Sequence, residues 1–517
     1  MQKNLVLAVV LSSLVYIGWY SYIGKKFEPP VQGAQAGAAA VPGSSAPSSA
    51  GTAMPAAQAP ATAPQASADW KKNAVTAKAG KSEYLFSPET ASIKSAVYQG
   101  PVAPVELLPD YGPGFLAASL PYTFRLKART ADSLEFSAED PDGIAVTKRF
   151  TLSGDGGLSS FSIDITNRGR NAQTLPAWEL TIGPGLGTAK SEEKENHDLW
   201  RAAYAFQETG RKHPTVKDLK DKPAENDCVW AGVDNLYFLA ALAGGSLAKA
   251  RPFRREEKVG EHKAPTLVVP FAAELLKPGE NRRLETSFYL GPKDYPHLQK
   301  LGMGLDRAVD FGFFSPLAKL ANSALTYFFR ITGNFGVAII IISVLIQLML
   351  TPLSYKSYKA MAVMKKIQPE MQAIQKRYKE DPKKMNQEVM DLYKRHGTNP
   401  LGGCLPMLLQ IPVFFALFTA LRNSWTLHGA PFIFWIKDLS AKDPYYVLPV
   451  VMGGIMLLQQ HLTPQASSDP AQAAMMKWMP VIFTFMFLSF PAGLVMYWLI
   501  NSIWGFAQNM YLKNKMA

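Results

Sequence analysis

Two cysteines, Cys228 and Cys404, are all that 517 residues carry. They lie in regions of very different composition, so a disulfide framework is excluded as the organising device. The seven histidines are scattered, with no zinc-ligand spacing. No GxSxG elbow is present. Gly80-Lys81-Ser82 imitates the end of a phosphate-binding loop, but Val75 stands where the first glycine is required. No pair of carboxylates stands out for acid–base work on sugars. No cofactor and no metal site is implied. A second scarcity lies in the C-terminal third. Its apolar stretches hold no Asp, Glu, Lys, Arg or His, apart from Arg422 and His461 at boundaries. Proton-coupled transport commonly needs a titratable chain there. A transporter or channel would also show internal repeats or charged pore residues, and neither is found.

What the chain does have is long apolar runs and an excess of positive charge. The net charge is +13 and the pI near 9.4. Such a balance suits nucleic acid, anionic lipid or a membrane protein with basic cytosolic loops, and the apolar runs favour the last. Leu5 to Gly24 is long enough to span hydrocarbon, so residues 1–27 read as a signal-anchor span, with a cleaved signal peptide as the rival. Residues 28–69 are dominated by Ala, Pro, Gly, Ser and Gln and read as a disordered linker.

From Trp70 the apolar period becomes two. Leu134 and Phe136 alternate with polar residues, as do Phe161, Ile163 and Ile165, and Trp178, Leu180 and Ile182. Ile144, Val146, Phe150 and Leu152 share one parity, on which Lys148 is the exception. Leu284, Phe288 and Leu290 form a last strand. Residues 70–295 are therefore expected to be a soluble, mostly antiparallel all-β sandwich. A sugar-binding or sugar-modifying role for it is one alternative function; a solute transporter or channel is another. Residues 296–334 read as an amphipathic helix lying in the membrane interface.

Beyond it the sequence predicts an α-helical polytopic membrane protein. With the anchor there are six spans: 1–27, 335–354, 401–422, 447–462, 478–490 and 493–512. The last two are separated because Trp478 to Leu512 would be roughly 52 Å as one helix and Pro491-Ala492-Gly493 interrupts it. The segment 355–400 carries eleven Lys or Arg against five Asp or Glu, and 423–446 carries two of each. The positive-inside rule then places 355–400, 463–477, 513–517 and both termini in the cytosol, and 28–295 with 423–446 outside. Met361, Met364, Ile367, Met371, Ile374 and Tyr378 step by three and four, as do Met385, Val389, Leu392 and His396. Two helices with one apolar seam follow, forming a basic hairpin that Pro369 should kink or start. Its candidate surface is Lys365, Lys366, Lys376, Arg377, Lys383, Lys384, Lys394 and Arg395, suited to anionic lipid headgroups, ribosomal RNA or acidic chain segments.

Polar residues recur within the spans. Ser343, Gln347 and Thr351 are four apart and share one side of a helix, with Ile340 expected to face lipid. Tyr497, Asn501 and Gln508 lie near one face of the last span, Gln410 sits in the third and Thr484 in the fifth. A hydrated groove and dry interhelical hydrogen bonds are the two explanations.

The stretches NPLGGCLPMLLQIPVFFAL (Asn399 to Leu417), FWIKDLSAKDPYYVLP (Phe434 to Pro449), MPVIFTFMFLSFPAGLVMYW (Met479 to Trp498) and TPLSYKSY (Thr351 to Tyr358) resemble the bacterial YidC membrane protein insertases. The resemblance covers the whole membrane region, and the layout ahead of it matches the Gram-negative branch of the YidC/Oxa/Alb family. It implies an inner-membrane insertase and chaperone that is not an enzyme, with a five-helix core around a groove open to cytosol and lipid. It also implies a periplasmic β-supersandwich and a substrate-receiving hairpin. Implied partners are nascent membrane proteins, the ribosome and the Sec translocon with SecD/SecF. The groove residues would be Ser343, Gln347, Thr351, Gln410, Thr484, Tyr497, Trp498 and Asn501. Two positions depart from the pattern: Gln347 replaces an arginine, and Trp498 stands where a tyrosine often follows Tyr497.

Overall fold

Strands with period-two burial pair into one large sheet. In spatial order it comprises Thr215–Asp218, Arg201–Phe206, Cys228–Asp234, Phe238–Ala243, Asn281–Pro292, Ser159–Asn167, Ile144–Thr151, Ser133–Glu139 and Arg125–Arg129, all antiparallel to their neighbours. The register sets Phe150 opposite both Phe161 and Leu134, so one face collects the large apolar side chains. Against that face lie two four-stranded sheets. One runs Val75–Ala79, Ser82–Ser87, Ser92–Gln99 and Pro104–Glu106; the other runs Phe253–Val259, His262–Phe271, Trp178–Ile182 and Ala117–Ala118. Phe86 meets Phe136 and Phe150 across the gap, and Phe115 meets Phe288. The result is a β-rich sandwich with one continuous core. The structure is a computed structural model that describes residues 70–108, 112–154, 156–398, 405–462 and 470–516. The expected anchor and linker, and Cys404, lie outside the described residues.

Lys148, the exception in parity, points inward and is fully buried. Its ammonium donates to the carbonyls of Thr90 (2.9 Å) and Ala91 (3.2 Å) and sits 4.6 Å from the centre of the Phe124 ring. Burial pushes its pKa down to about 7.

The other face of the large sheet receives the chain on its way to the helices that follow. Helix α1 (Tyr295–Leu301), a 3-10 turn at Leu305–Ala308 and Phe311 cover Ala203, Trp230, Ala241 and Tyr289. Polar bonds fasten the crossing. Trp230 Nε1 donates to Gly304 O at 3.0 Å, and Arg201 Nη2 to Ala308 O at 3.2 Å. The same guanidinium grips Asp234 through two bonds of 3.0 and 2.8 Å, and Lys293 Nζ adds a third at 2.8 Å. Burial alone would raise the Asp234 pKa, but the Arg201 and Lys293 charges outweigh it and hold the carboxyl below its usual range.

The amphipathic stretch expected over 296–334 is not one helix. Gly302, Gly304 and Gly312 take φ of 77°, 69° and 66°, a region that breaks a helix and that glycine enters freely. Only Ser315–Thr332 (α2) continues as a helix, exposing Leu320, Tyr327 and Ile331 along one face.

Helix α3 is Phe335–Arg377. Asn334 caps it, accepting from the Gly336 and Val337 amides at 2.8 and 3.2 Å. Its 43 residues would extend roughly 64 Å at 1.5 Å each. Span and first hairpin arm, expected as separate elements meeting at 354/355, are therefore one helix that runs through Pro352 and Pro369. Each proline removes one backbone donor, too little to break the run here. The second arm is α4 (Pro382–Arg395), capped by Asp381. Four more helices follow: α5 (Leu405–Arg422), α6 (Val447–Leu462), α7 (Pro470–Phe487) and α8 (Ala492–Met516). Among the described residues α3 alone is long and apolar enough to cross a membrane by itself; Leu408–Arg422, Val447–Gln460 and Lys477–Phe487 are apolar but shorter.

Candidate functional site: a polar seam among apolar helices

Three helices bring their amides together. Gln347 of α3 is nearly buried, and its Nε2 donates to Asn501 Oδ1 of α8 at 2.8 Å. Gln410 of α5 donates to the Tyr497 hydroxyl of α8 at 2.6 Å. Gln508 of α8 reaches the Thr351 hydroxyl of α3 at 2.8 Å. Each bond crosses between helices. All the side chains involved are uncharged amides and hydroxyls, so the seam is polar without a formal charge. The opposite side of α3 exposes Leu345, Leu348 and Met349, which suits hydrocarbon.

The other expected groove residues divide. Thr351 joins the seam and also donates to Gln347 O at 2.7 Å. Ser343 lies on the same side but is fully buried, and its hydroxyl bonds back to Ile339 O at 2.7 Å. Thr484 stands apart. It packs on Gly453 of α6, where a side chain on the glycine would collide with it, and its hydroxyl bonds Pro480 O at 2.8 Å. Trp498 also stands apart, within a cluster of Phe414, Phe483 and Phe487 at ring distances of 5.1 to 5.7 Å. Both positions are occupied by helix packing, which sequence spacing does not distinguish from a groove lining. Ile340, expected to face lipid, packs instead against the bundle core.

Trp504 is the residue that sequence reasoning missed. Positions 497, 501, 504 and 508 follow a four-three-four spacing and so lie on one face of α8. The apolar ring hid a polar indole N–H in that row.

One end of the bundle is closed by the loop between α5 and α6. Phe432 of that loop lies directly on Gly336, leaving no room for a Cβ. Gly493 N donates to Leu439 O at 2.9 Å and Ala492 N to Ala441 O at 2.7 Å, tying the start of α8 under the loop. Asp443, fully enclosed, accepts from the Trp435 indole (3.0 Å) and from the Leu448 amide at the start of α6 (2.8 Å). Trp425 extends the loop into the β sandwich, where its ring meets Phe238 at 4.7 Å and Tyr98 at 6.0 Å. At the far end, α3 and α4 form the hairpin on a thin seam of Ile367, Met371 and Leu392. Lys365, Lys366, Lys376, Arg377, Lys383, Lys384, Lys394 and Arg395 are all exposed, and the Lys394 ammonium pairs with Asp391 at 2.9 Å.

Comparison with known proteins agrees with this division into two parts. Residues 69–321 match the YidC periplasmic domain and 327–517 match the 60Kd inner membrane protein family. The membrane protein insertase YidC of Endomicrobium trichonymphae is 41% identical over 76% of this chain and 76% of its own. That of Pelobacter propionicus is 36% identical, with both chains covered completely. A solved structure of an active YidC insertase with its first transmembrane domain resolved covers 84% of this chain and 91% of that one, at 20% identity and a TM-score of 0.38. A β sandwich joined to an apolar bundle, matched along its whole length at this identity, has one reading: the chain belongs to the YidC family of membrane protein insertases.

Proposed function

We propose that this insertase works through a polar track along α3, α5 and α8, open towards the hairpin and closed at the loop end. A short hydrophilic tail of a new membrane protein would exchange hydrogen bonds with Gln347, Gln410, Tyr497, Asn501 and Thr351, with Ser343 behind them. An unpaired amide costs roughly 2–7 kcal/mol on leaving water for an apolar phase, and the track would offset part of that. The substrate's apolar segment would then partition into lipid, and that transfer supplies the driving free energy. No bond is made or broken. The observation that carries this reading is the set of three interhelical amide bonds between helices of mostly apolar sequence. Such pairs can be exchanged for substrate groups at little net cost, whereas a buried ion pair resists it.

The topology belongs to the same proposal. Helices α3, α5, α6, α7 and α8 would be the five core spans and the N-terminal segment the sixth, with both termini cytosolic and 28–295 periplasmic. Charge distribution supports this orientation. The exposed basic hairpin would then meet ribosomes carrying nascent chains and anionic headgroups, while the Sec translocon with SecD/SecF would be engaged laterally. The test is reconstitution in proteoliposomes with single-span substrates. The double variant Gln347→Leu/Gln410→Leu should fold yet slow the insertion of polar-tailed substrates most. Equal rates for variant and parent would refute the track.

A further inference from the structure

Within the seam nearly every amide and hydroxyl has found a partner. Tyr497 accepts from Gln410, Asn501 Oδ1 accepts from Gln347, and Gln508 donates to Thr351. Two donors keep spare capacity. Trp504 Nε1 is buried and has no hydrogen-bond partner among the described residues, and the buried Asn501 Nδ2 has only the neighbouring Tyr497 hydroxyl beside it. They are three residues apart on the face of α8 that carries the whole row, so they stand on the same side, within about one helical turn. A buried donor without an acceptor is costly and rare, and the Trp504 N–H, one turn from an amide that still has a second N–H to give, marks a place for an acceptor. Their chemistry restricts what it is. An indole N–H only donates, and the spare half of the Asn501 amide is also a donor. Neither offers anything to an ammonium group.

We propose that Asn501 Nδ2 and Trp504 Nε1 form an acceptor-binding subsite of the track, which holds side-chain carboxylate or amide oxygens of a polar tail as it passes. The subsite rests on the track reading above and deepens it. All the groups in the seam are neutral, so N–H donors do the selecting. Tails ending in Asp or Asn are favoured over tails ending in Lys, and the preference for Asp over Asn is small because no cation takes part.

The experiment uses the full chain in proteoliposomes and three single-span substrates differing only in the tail, which carries two Asp, two Asn or two Lys. Trp504→Phe keeps the ring and removes the N–H. The Asp-to-Lys and Asn-to-Lys ratios of insertion rate should both fall about 2- to 10-fold, the worth of one neutral hydrogen bond. A fall in the Asp ratio alone would overturn the amide half of the assignment. Uniform slowing of all three substrates, or unchanged ratios, would overturn the subsite, leaving the tryptophan as packing. A second measurement separates this from failure of the track. In a Gln347→Cys background, labelling by a water-soluble maleimide reports on the track itself. Labelling with unchanged ratios sinks the subsite alone; absence of labelling sinks both. Should Trp504→Phe fail to accumulate, the Trp504→Cys variant is tested for cross-linking to a cysteine beside the substrate's tail Asp. No cross-link there would equally overturn the proposal.

Discussion

Replacing Lys148 by methionine tests how the β sandwich accommodates a buried amine. The ammonium sits in the apolar core, with two carbonyls and one ring face around it. Its pKa of about 7 lies well below the ordinary 10.5. At about 1.4 kcal/mol for each tenfold change this corresponds to about 5 kcal/mol. The sign follows from proton binding. Between about pH 7 and 10.5 the unfolded chain holds a proton that the folded domain sheds, so the contribution of Lys148 to stability rises with pH across that window. Below pH 7 the folded domain carries the full cost of a buried charge. Lys148→Met keeps the length of the side chain and removes the charge. It also strips the Thr90 and Ala91 carbonyls of a donor, which costs about 1–3 kcal/mol. The net expectation is a gain of about 2–4 kcal/mol at pH 6–7 that shrinks towards zero, or reverses, near pH 10. Urea titrations of residues 70–314 at pH 6, 8 and 10 measure it, on a segment that keeps both the continuous core and the cover of the second sheet face. A variant less stable than the parent at pH 6, or a difference independent of pH, would refute the reasoning.

Asp234→Asn leaves Arg201 and Lys293 facing a neutral group in the interior, and the domain should lose about 3–5 kcal/mol in the same assay. Because the folded pKa of Asp234 is depressed, its stabilisation is present above the ordinary carboxylate range and should fade as pH falls through the folded value, so the curves of the parent and of the Asp234→Asn variant should converge in strong acid. Deleting residues 361–395 with a short Gly/Ser bridge removes the hairpin, whose apolar contact with the rest is confined to its own thin seam. The bundle should still fold and be extracted intact, while insertion of a single-span substrate falls; an unchanged rate would exclude the hairpin from substrate handling.

The strands were legible because burial in a sandwich repeats every second residue, and Leu134, Phe136, Phe161, Ile163 and Ile165 all turn inward as their parity requires. Lys148 marks the limit of that rule. Its acceptors, Thr90 and Ala91, come from a loop nearly sixty residues earlier, which no local pattern records. The continuous α3 was hidden by Pro352 and Pro369, residues that read as breaks although a helix of this length loses only single bonds at each. The reverse happened at 296–334, where an amphipathic period ran across Gly302, Gly304 and Gly312 and the left-handed turns won. In the seam, spacing by four found Gln347, Thr351, Tyr497 and Asn501. It could not tell that Thr484 would nest on Gly453 or that Trp498 would stack among phenylalanines, because those partners come from other helices.

The hydration of position 347 decides between a track and a dry helix contact. A single cysteine placed there should react with a water-soluble maleimide in intact membranes, while one at Met349, which is 70% exposed on the apolar side of α3, should not. Gln347→Arg should accumulate normally, since water and exchangeable amides solvate a guanidinium. A dry contact predicts the opposite pair of results. The introduced cysteine would stay unlabelled, and Gln347→Arg would place a charge in apolar surroundings at roughly 2.5–3.5 kcal/mol or more and fail to accumulate. That outcome would contradict the account at its centre.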